Sequence, residues 1–162
     1  MVCSGGFRLF VERIETRAYC RATEVPDRVV SAVLNVYPEN LRPSVSVRIS
    51  EGEGHSGDRI LIVESILTRK KSCESTLQYM IERLPDSDRE SLRNSLDKRL
   101  DDRCTLFLRI DKQAAFLEDL RIARDPDVIA VRVRFKEYPR CERAMALSLI
   151  SNILQSAGRK ED

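Results

Sequence analysis

The chain is 162 residues long, 42% apolar and 33% charged, with 28 Lys plus Arg against 26 Asp plus Glu and a formal net charge of +2. That length holds one domain, or one domain with an appendage. No apolar run is long enough to form a membrane span, and the near-neutral balance does not by itself demand a nucleic-acid partner.

Arg supplies 22 of the 28 cations and Lys only 6, a bias toward a planar fork that matches phosphate and carboxylate and stacks on rings. The segment Met1 to Phe10 has neither a long apolar stretch nor a cleavage site, so no signal peptide is expected. The five cysteines (Cys3, Cys20, Cys73, Cys104 and Cys141) include no C-x-x-C pair, and His55 is the one histidine. No metal site is therefore expected, and the thiols read as buried and reduced in a cytoplasmic protein.

The first element runs from about Phe7 to Ala22. Ile14, Thr16, Ala18, Cys20 and Ala22 alternate with Glu15, Arg17, Tyr19 and Arg21, which predicts a half-buried strand. Thr23 is positioned to cap a helix that opens with Pro26, carries Val29, Val30, Val33 and Leu34, and stops before Pro38. Val45, Val47 and Ile49 predict a second strand with Ser46 and Arg48 on its other face. A glycine-rich joint, Glu51 to Gly57, leads to a third strand from Arg59 to Thr68. Its run Ile60-Leu-Ile-Val63 predicts burial on both faces, and strand, turn, strand predicts a hairpin.

Ser72 opens a helix through Tyr79, Met80 and Leu84 that Pro85 closes. Ser87-Asp-Arg-Glu90 reads as a capping box for the next helix, whose stripe is Leu92, Leu96 and Leu100. A fourth strand sets Cys104, Leu106, Leu108 and Ile110 against Arg103, Thr105, Phe107 and Arg109. Asp111 to Glu118 is a short helical turn. A last strand, Val128 to Lys136, alternates Ile129, Val131, Val133 and Phe135 with Ala130, Arg132, Arg134 and Lys136. Pro139 starts a final amphipathic helix through Met145, Leu149, Ile150, Ile153 and Leu154, with Gly158 at its stop.

These elements predict an α+β fold. A mostly antiparallel open sheet of four to six strands carries helices packed on one face, plus the C-terminal amphipathic helix. Residues 1–138 form the α+β domain, and 139–162 are a helix appended to it.

The string Gly52-x-Gly54-x-x-Gly57 matches a dinucleotide fingerprint, but that fingerprint needs a helix after the third glycine and here a strand follows. The loop is either a plain hairpin turn or, through the N–H groups of Gly54 and Gly57 flanked by His55 and Arg59, a contact for RNA phosphate or sugar. His55 has no nucleophile-elbow string beside it, so neither a catalytic residue nor a cofactor is expected. The acidic groups Asp86, Asp88, Asp101 and Asp102 sit at helix ends and read as structural.

A distributed constellation carries more. With the apolar strand faces turned to the helices, the opposite face collects Arg17, Tyr19, Arg21, Arg48, Phe107, Arg109, Arg132, Arg134 and Lys136, with Glu15 as its chief acid. Cations for phosphate and rings for unpaired bases are the mixture used by RNA-binding sheets. A solvated face and a face covered by the final helix or a second subunit are the competing readings.

Glu53-Gly-His-Ser-Gly57 before an apolar strand, together with Leu100-Asp-Asp-Arg-Cys-Thr-Leu-Phe-Leu-Arg-Ile-Asp-Lys-Gln-Ala-Ala-Phe116, resembles an archaeal family of predicted RNA-binding proteins or exosome subunits. Ala22-Thr-Glu24 fits the same pattern, and the resemblance covers about residues 10 to 137. It implies the fold of the ribosomal protein that carries 5S rRNA, a cytoplasmic location and an RNA partner. By motif position it marks His55, Lys112 and Gln113. Ser56 departs from the pattern, where an aromatic residue is expected, and the final helix lies outside it. Lys112 and Gln113 have a local reading as well: Gln113 satisfying buried backbone, Lys112 pairing with Asp111 or Asp119. The expected function is non-catalytic RNA binding near exosome or ribosomal RNA processing. The alternative is a protein-interaction or dimerisation module, monomer or homodimer, in either case off the membrane.

Overall fold

Alternating apolar and polar residues build five strands in the computed structural model, which describes residues 9–54 and 57–159. They are β1 (Phe10–Cys20), β2 (Ser46–Glu53), β3 (Arg59–Leu67), β4 (Thr105–Asp111) and β5 (Val128–Lys136). The sheet is open, with order β2-β3-β1-β5-β4 and every neighbour antiparallel. The hairpin joins β2 to β3, and β1 lies at the centre, paired with β3 and β5.

The helices are α1 (Pro26–Leu34), α2 (Lys70–Arg83), α3 (Asp86–Arg99), α4 (Lys112–Phe116) and α5 (Arg143–Arg159). They bury one face of the sheet. Ile14, Ala18, Val63, Leu106, Leu108, Ile110, Ile129, Val131 and Val133 are sealed beneath them. Within that core the Tyr37 hydroxyl meets Ser65 Oγ at 2.7 Å, and Ser65 in turn hydrogen-bonds Thr16. Burial pushes the Tyr37 phenol up to about 12, against the opposing pull of the Ser65 and Thr16 hydroxyls.

α5 packs on α2 and α3, with Ala146, Ile150, Leu154 and Ala157 buried. Arg143 ties its start to the end of α3. The guanidinium donates to the carbonyls of Asp97 (2.6 Å) and Leu100 (3.2 Å) and pairs with the Asp97 carboxylate at 2.9 Å. A cation on the free carbonyls at a helix C-terminus is favoured twice, by hydrogen bonding and by the helix dipole. Arg89 does the same inside the core, donating to the carbonyls of Leu84 and Glu82 at the end of α2. The last helix therefore lies with the other helices and leaves the second face of the sheet open.

Several local expectations change. The N-cap of α1 is Val25, since Thr23 lies inside a turn closed by Glu24 N–H to the Arg21 carbonyl (2.9 Å). α2 begins at Lys70, before Ser72. Pro85 caps α3, with the N–H groups of Asp88 and Arg89 both on its carbonyl, so Ser87 sits in the first turn and the capping box does not form. The final helix begins at Arg143, four residues after Pro139. The run Ile60-Leu-Ile-Val63 is not sealed on both faces: Val63 is buried but Ile60, Leu61 and Ile62 are only half-buried, because no helix among the described residues covers the second face.

The reduced-thiol expectation is also corrected. Cys104 and Cys141 form a disulfide with Cα atoms 6.4 Å apart, while Cys20 and Cys73 are free and buried. Cys104 takes a left-handed backbone (φ 61°) in a turn where the Asp101 carboxylate accepts from the N–H groups of Arg103 and Thr105. A separation of 37 residues carries no sign of this pairing.

Candidate nucleic-acid interface

The pleat and register fix which side chains share the open face. Strand by strand from β2 to β4, one row reads Ser46, Ile66, Glu15, Arg132, Phe107. The next row reads Arg48, Glu64, Arg17, Ala130, Arg109, and a third reads Ser50, Ile62, Tyr19 as far as β1, with Val128 opposite Asp111 at the other edge. Arg134 lies opposite both Arg13 and Thr105 in the row beyond. The structure thus brings Arg17, Tyr19, Arg48, Phe107, Arg109, Arg132 and Arg134 onto one surface.

Two rings on it are open, Tyr19 at 50% and Phe107 at 40% exposure. The Arg132 guanidinium stands 5.7 Å from the centre of the Phe107 ring. Arg21 is exposed just past the end of β1, where it borders a hollow of about 300 Å³ with Gly54, Asp58 and Arg59. Gly54 donates its N–H to the Asp58 carbonyl at 2.9 Å, and a Cβ there would come within 2.7 Å of Ile60 Cδ1. Gly57 takes φ +76°, a conformation that favours glycine. Gly57 therefore has a structural cause in the hairpin, while a side chain at Gly54 would require the Ile60 methyl to move. His55 and Ser56 lie outside the described residues.

The face is not as poor in acids as the sequence reading had it. Glu64 sits at its centre, 3.6 Å from Arg17 and 3.5 Å from Arg48. Arg13 pairs with Glu15 at 2.9 Å, and Lys136 with Glu12 at 3.2 Å. In the sequence Glu64 directly follows the apolar run Ile60 to Val63, which by itself predicts burial on both faces. A signal was available: a charged residue two positions from Ile62 and two from Ile66 marks their shared face as open.

Between β2 and β5 the surface dips into a hollow of about 480 Å³ walled by Glu15, Arg17, Ser46, Arg48, Glu64, Ile66, Ala130 and Arg132. Thr16, Val47 and Ser65 also line it. Their side chains alternate toward the helices, so they present main chain to the hollow.

Lys112 and Gln113 occupy a different place. Lys112, with a side chain 3% exposed, reaches under the end of β1 and meets Glu24 at 2.8 Å, Asp127 at 2.7 Å and the Tyr19 carbonyl at 2.8 Å. Those partners replace the Asp111 or Asp119 expected from proximity along the chain. Asp111 instead caps α4, accepting from the Ala114 N–H at 2.8 Å. Gln113 donates to Asp127 at 3.1 Å. Burial alone raises the Asp127 carboxyl, but the hydrogen bonds from Lys112 and Gln113 outweigh it and hold the group below its ordinary value. An ammonium has three N–H donors, and three acceptors surround this one.

Comparisons with known proteins place this geometry in a family. The chain is 30% identical over 139 residues to the RNA-binding protein PAB1135 of Pyrococcus abyssi, covering 85% of this chain and 90% of that one. The solved structure of Mth689, a DUF54 protein from Methanothermobacter thermautotrophicus, is 25% identical with a TM-score of 0.68, covering 90% of this chain and 98% of that one. An uncharacterised protein of Methanocaldococcus jannaschii, MJ0213, is 26% identical over 145 residues, with 87% and 96% of the two chains covered. The family model described as RNA binding matches residues 13–135, from within the central strand β1 to the last residues of β5, and the chain belongs to that family.

Proposed function

We propose that this protein binds single-stranded RNA on the open face of its sheet and does no chemistry on it. The observation that carries the reading is the face itself. Among the described residues no helix covers it, and Arg17, Arg48, Arg109, Arg132 and Arg134 surround the exposed rings of Tyr19 and Phe107. Such cations neutralise phosphate while the rings stack on splayed bases. Family membership and the name of the Pyrococcus abyssi relative support the same ligand.

The test is a variant in which Arg17, Arg21, Arg132 and Arg134 are all replaced by Glu. Its affinity for a single-stranded RNA oligonucleotide falls by about a hundredfold or more. Losing four phosphate contacts also flattens the salt dependence by about 3 in log–log slope. The thermal unfolding curve changes little, because these side chains stand away from the core. Unchanged affinity in a folded variant would move the site elsewhere.

The machinery served is RNA processing of the exosome or ribosomal kind, in the cytoplasm. That part rests on the resemblance of the Leu100 to Phe116 segment. Crosslinking in native cells followed by sequencing of the bound RNA tests it, and recovery of unrelated RNAs alone would refute it.

A further inference from the structure

A surface built only to hold phosphate has no use for carboxylates at its centre. This one has two, Glu15 and Glu64, in the walls of the 480 Å³ hollow. Glu64 is held there by Arg17 at 3.6 Å and Arg48 at 3.5 Å. Both separations exceed the 2.7–3.2 Å of an N–H···O hydrogen bond. The carboxylate is thus oriented by its neighbours while its lone pairs remain able to accept. The rest of the wall is Ser46, the apolar Ile66 and Ala130, the main chain at Thr16, Val47 and Ser65, and the Arg132 guanidinium over Phe107. The volume lies within the range of about 300–1,000 Å³ typical of small-ligand sites.

We infer that this hollow takes one unpaired guanine base of a bound RNA, with Glu64 reading its Watson–Crick edge. The inference rests on the RNA-binding reading of the face and deepens it. Guanine presents two adjacent N–H donors on that edge, and a carboxylate presents two acceptor oxygens to match them. Adenine and cytosine set a single amine beside a ring acceptor, which a carboxylate repels. Uracil sets one N–H between two carbonyls. The O6 and N7 acceptors on guanine's other edge are the usual target of an Arg fork, and Arg17, Arg48 and Arg132 ring the hollow. The apolar floor and the Arg132 plane suit the faces of the base.

The experiment compares four hexanucleotides, a uridine background carrying G, A, C or U at one central position, on the full chain by fluorescence anisotropy. The wild-type protein binds the G oligonucleotide about tenfold more tightly than the other three, within the range of a bidentate base contact. Glu64→Gln, which replaces one acceptor with a donor, brings all four to equal affinity. Ala130→Leu fills the hollow without changing charge and also removes the preference. It supplies the test alone if Glu64→Gln does not fold. A preference that survives either substitution in a folded protein overturns the inference. Equal binding of the four by the wild type overturns it as well and leaves RNA binding on this face standing. Binding of none of the four overturns both.

Discussion

Two groups of cations lie within one sheet's reach and end in opposite states. Lys112 is buried, with Glu24, Asp127 and the Tyr19 carbonyl all within 2.8 Å. Arg17 and Arg48 are 52% and 78% exposed, and their shared partner Glu64 lies at 3.6 and 3.5 Å. The first arrangement joins β1, the start of α4 and the loop before β5 through a buried ammonium held by two partly buried carboxylates. The second holds charge ready in solvent. Basic residues thus divide by geometry rather than by count: a cation that satisfies the fold's own carboxylates contributes to stability, and one left in loose pairs is available to an outside anion.

The largest effect expected from this contrast is on Lys112. Lys112→Met removes the charge and keeps most of the stem. It leaves Glu24, Asp127 and the Tyr19 carbonyl without their shared donor. Breaking a buried pair by removing one partner costs about 3–5 kcal/mol. The lower end applies here because both carboxylates keep some solvent contact. For a chain of this size about 3 kcal/mol is a fall of roughly 10 °C in Tm. RNA affinity measured below that Tm stays as in the wild type. A folded Lys112→Met protein with the wild-type Tm and weakened RNA binding would break the comparison, and would return Lys112 to the interface as its motif position implied.

The opposite signature belongs to the double variant Arg17→Gln, Arg48→Gln. Exposed ion pairs contribute about 0–1 kcal/mol each, so the unfolding midpoint moves little. RNA affinity falls about tenfold at moderate salt, and the log–log salt slope drops by about 1.4 for two lost contacts on a single strand. A large loss of stability here would mean that the Glu64 cluster holds the sheet together, and the division between the two groups would fail.

The sheet was legible in the sequence because period-two alternation is a direct record of a face buried against helices. β5 follows the alternation residue by residue, and β4 follows it from Leu106 to Ile110, while Thr105, expected on the open face, is buried and Cys104 lies in the turn before the strand. Arg17, Tyr19, Phe107 and Arg132 could be placed on a shared face for the same reason. What the sequence hid is what depends on distant chain. Lys112 pairs across 88 positions with Glu24, and no local pattern announces that. Cys104 and Cys141 meet only because a turn and the approach to α5 converge. Glu64 was masked by the apolar run ahead of it, since four consecutive apolar residues look the same whether one face is open or both are closed. The first helix opens at Pro26 as its sequence predicts but with Val25 rather than Thr23 as N-cap, and Pro85 rather than Ser87 caps α3.

The smallest effect sharpens the comparison through pH. Asp127 titrates below the ordinary carboxylate value of 3.8, since hydrogen bonds from Lys112 and Gln113 outweigh burial. In the unfolded chain the same group takes up its proton at higher pH. Between the two values the unfolded state binds more protons, so stability rises with pH there. The contribution is complete above the unfolded value and is lost as pH falls through the folded one, a window that opens at about pH 5 and deepens below about pH 4. In Lys112→Met the support from the ammonium is gone and the Asp127 carboxyl moves upward. The stability difference between wild type and Lys112→Met, read from urea midpoints at a series of pH values, is therefore greatest near neutrality and narrows as the solution is acidified below about pH 4. Taking the difference cancels the titration of the carboxylates that do not touch Lys112, and a further Glu24→Gln substitution in both proteins leaves Asp127 as the one carboxylate the ammonium meets. A gap that stays constant down to pH 3 would mean that the charge of Asp127 contributes nothing in the folded state. The Lys112 network would then act by packing alone.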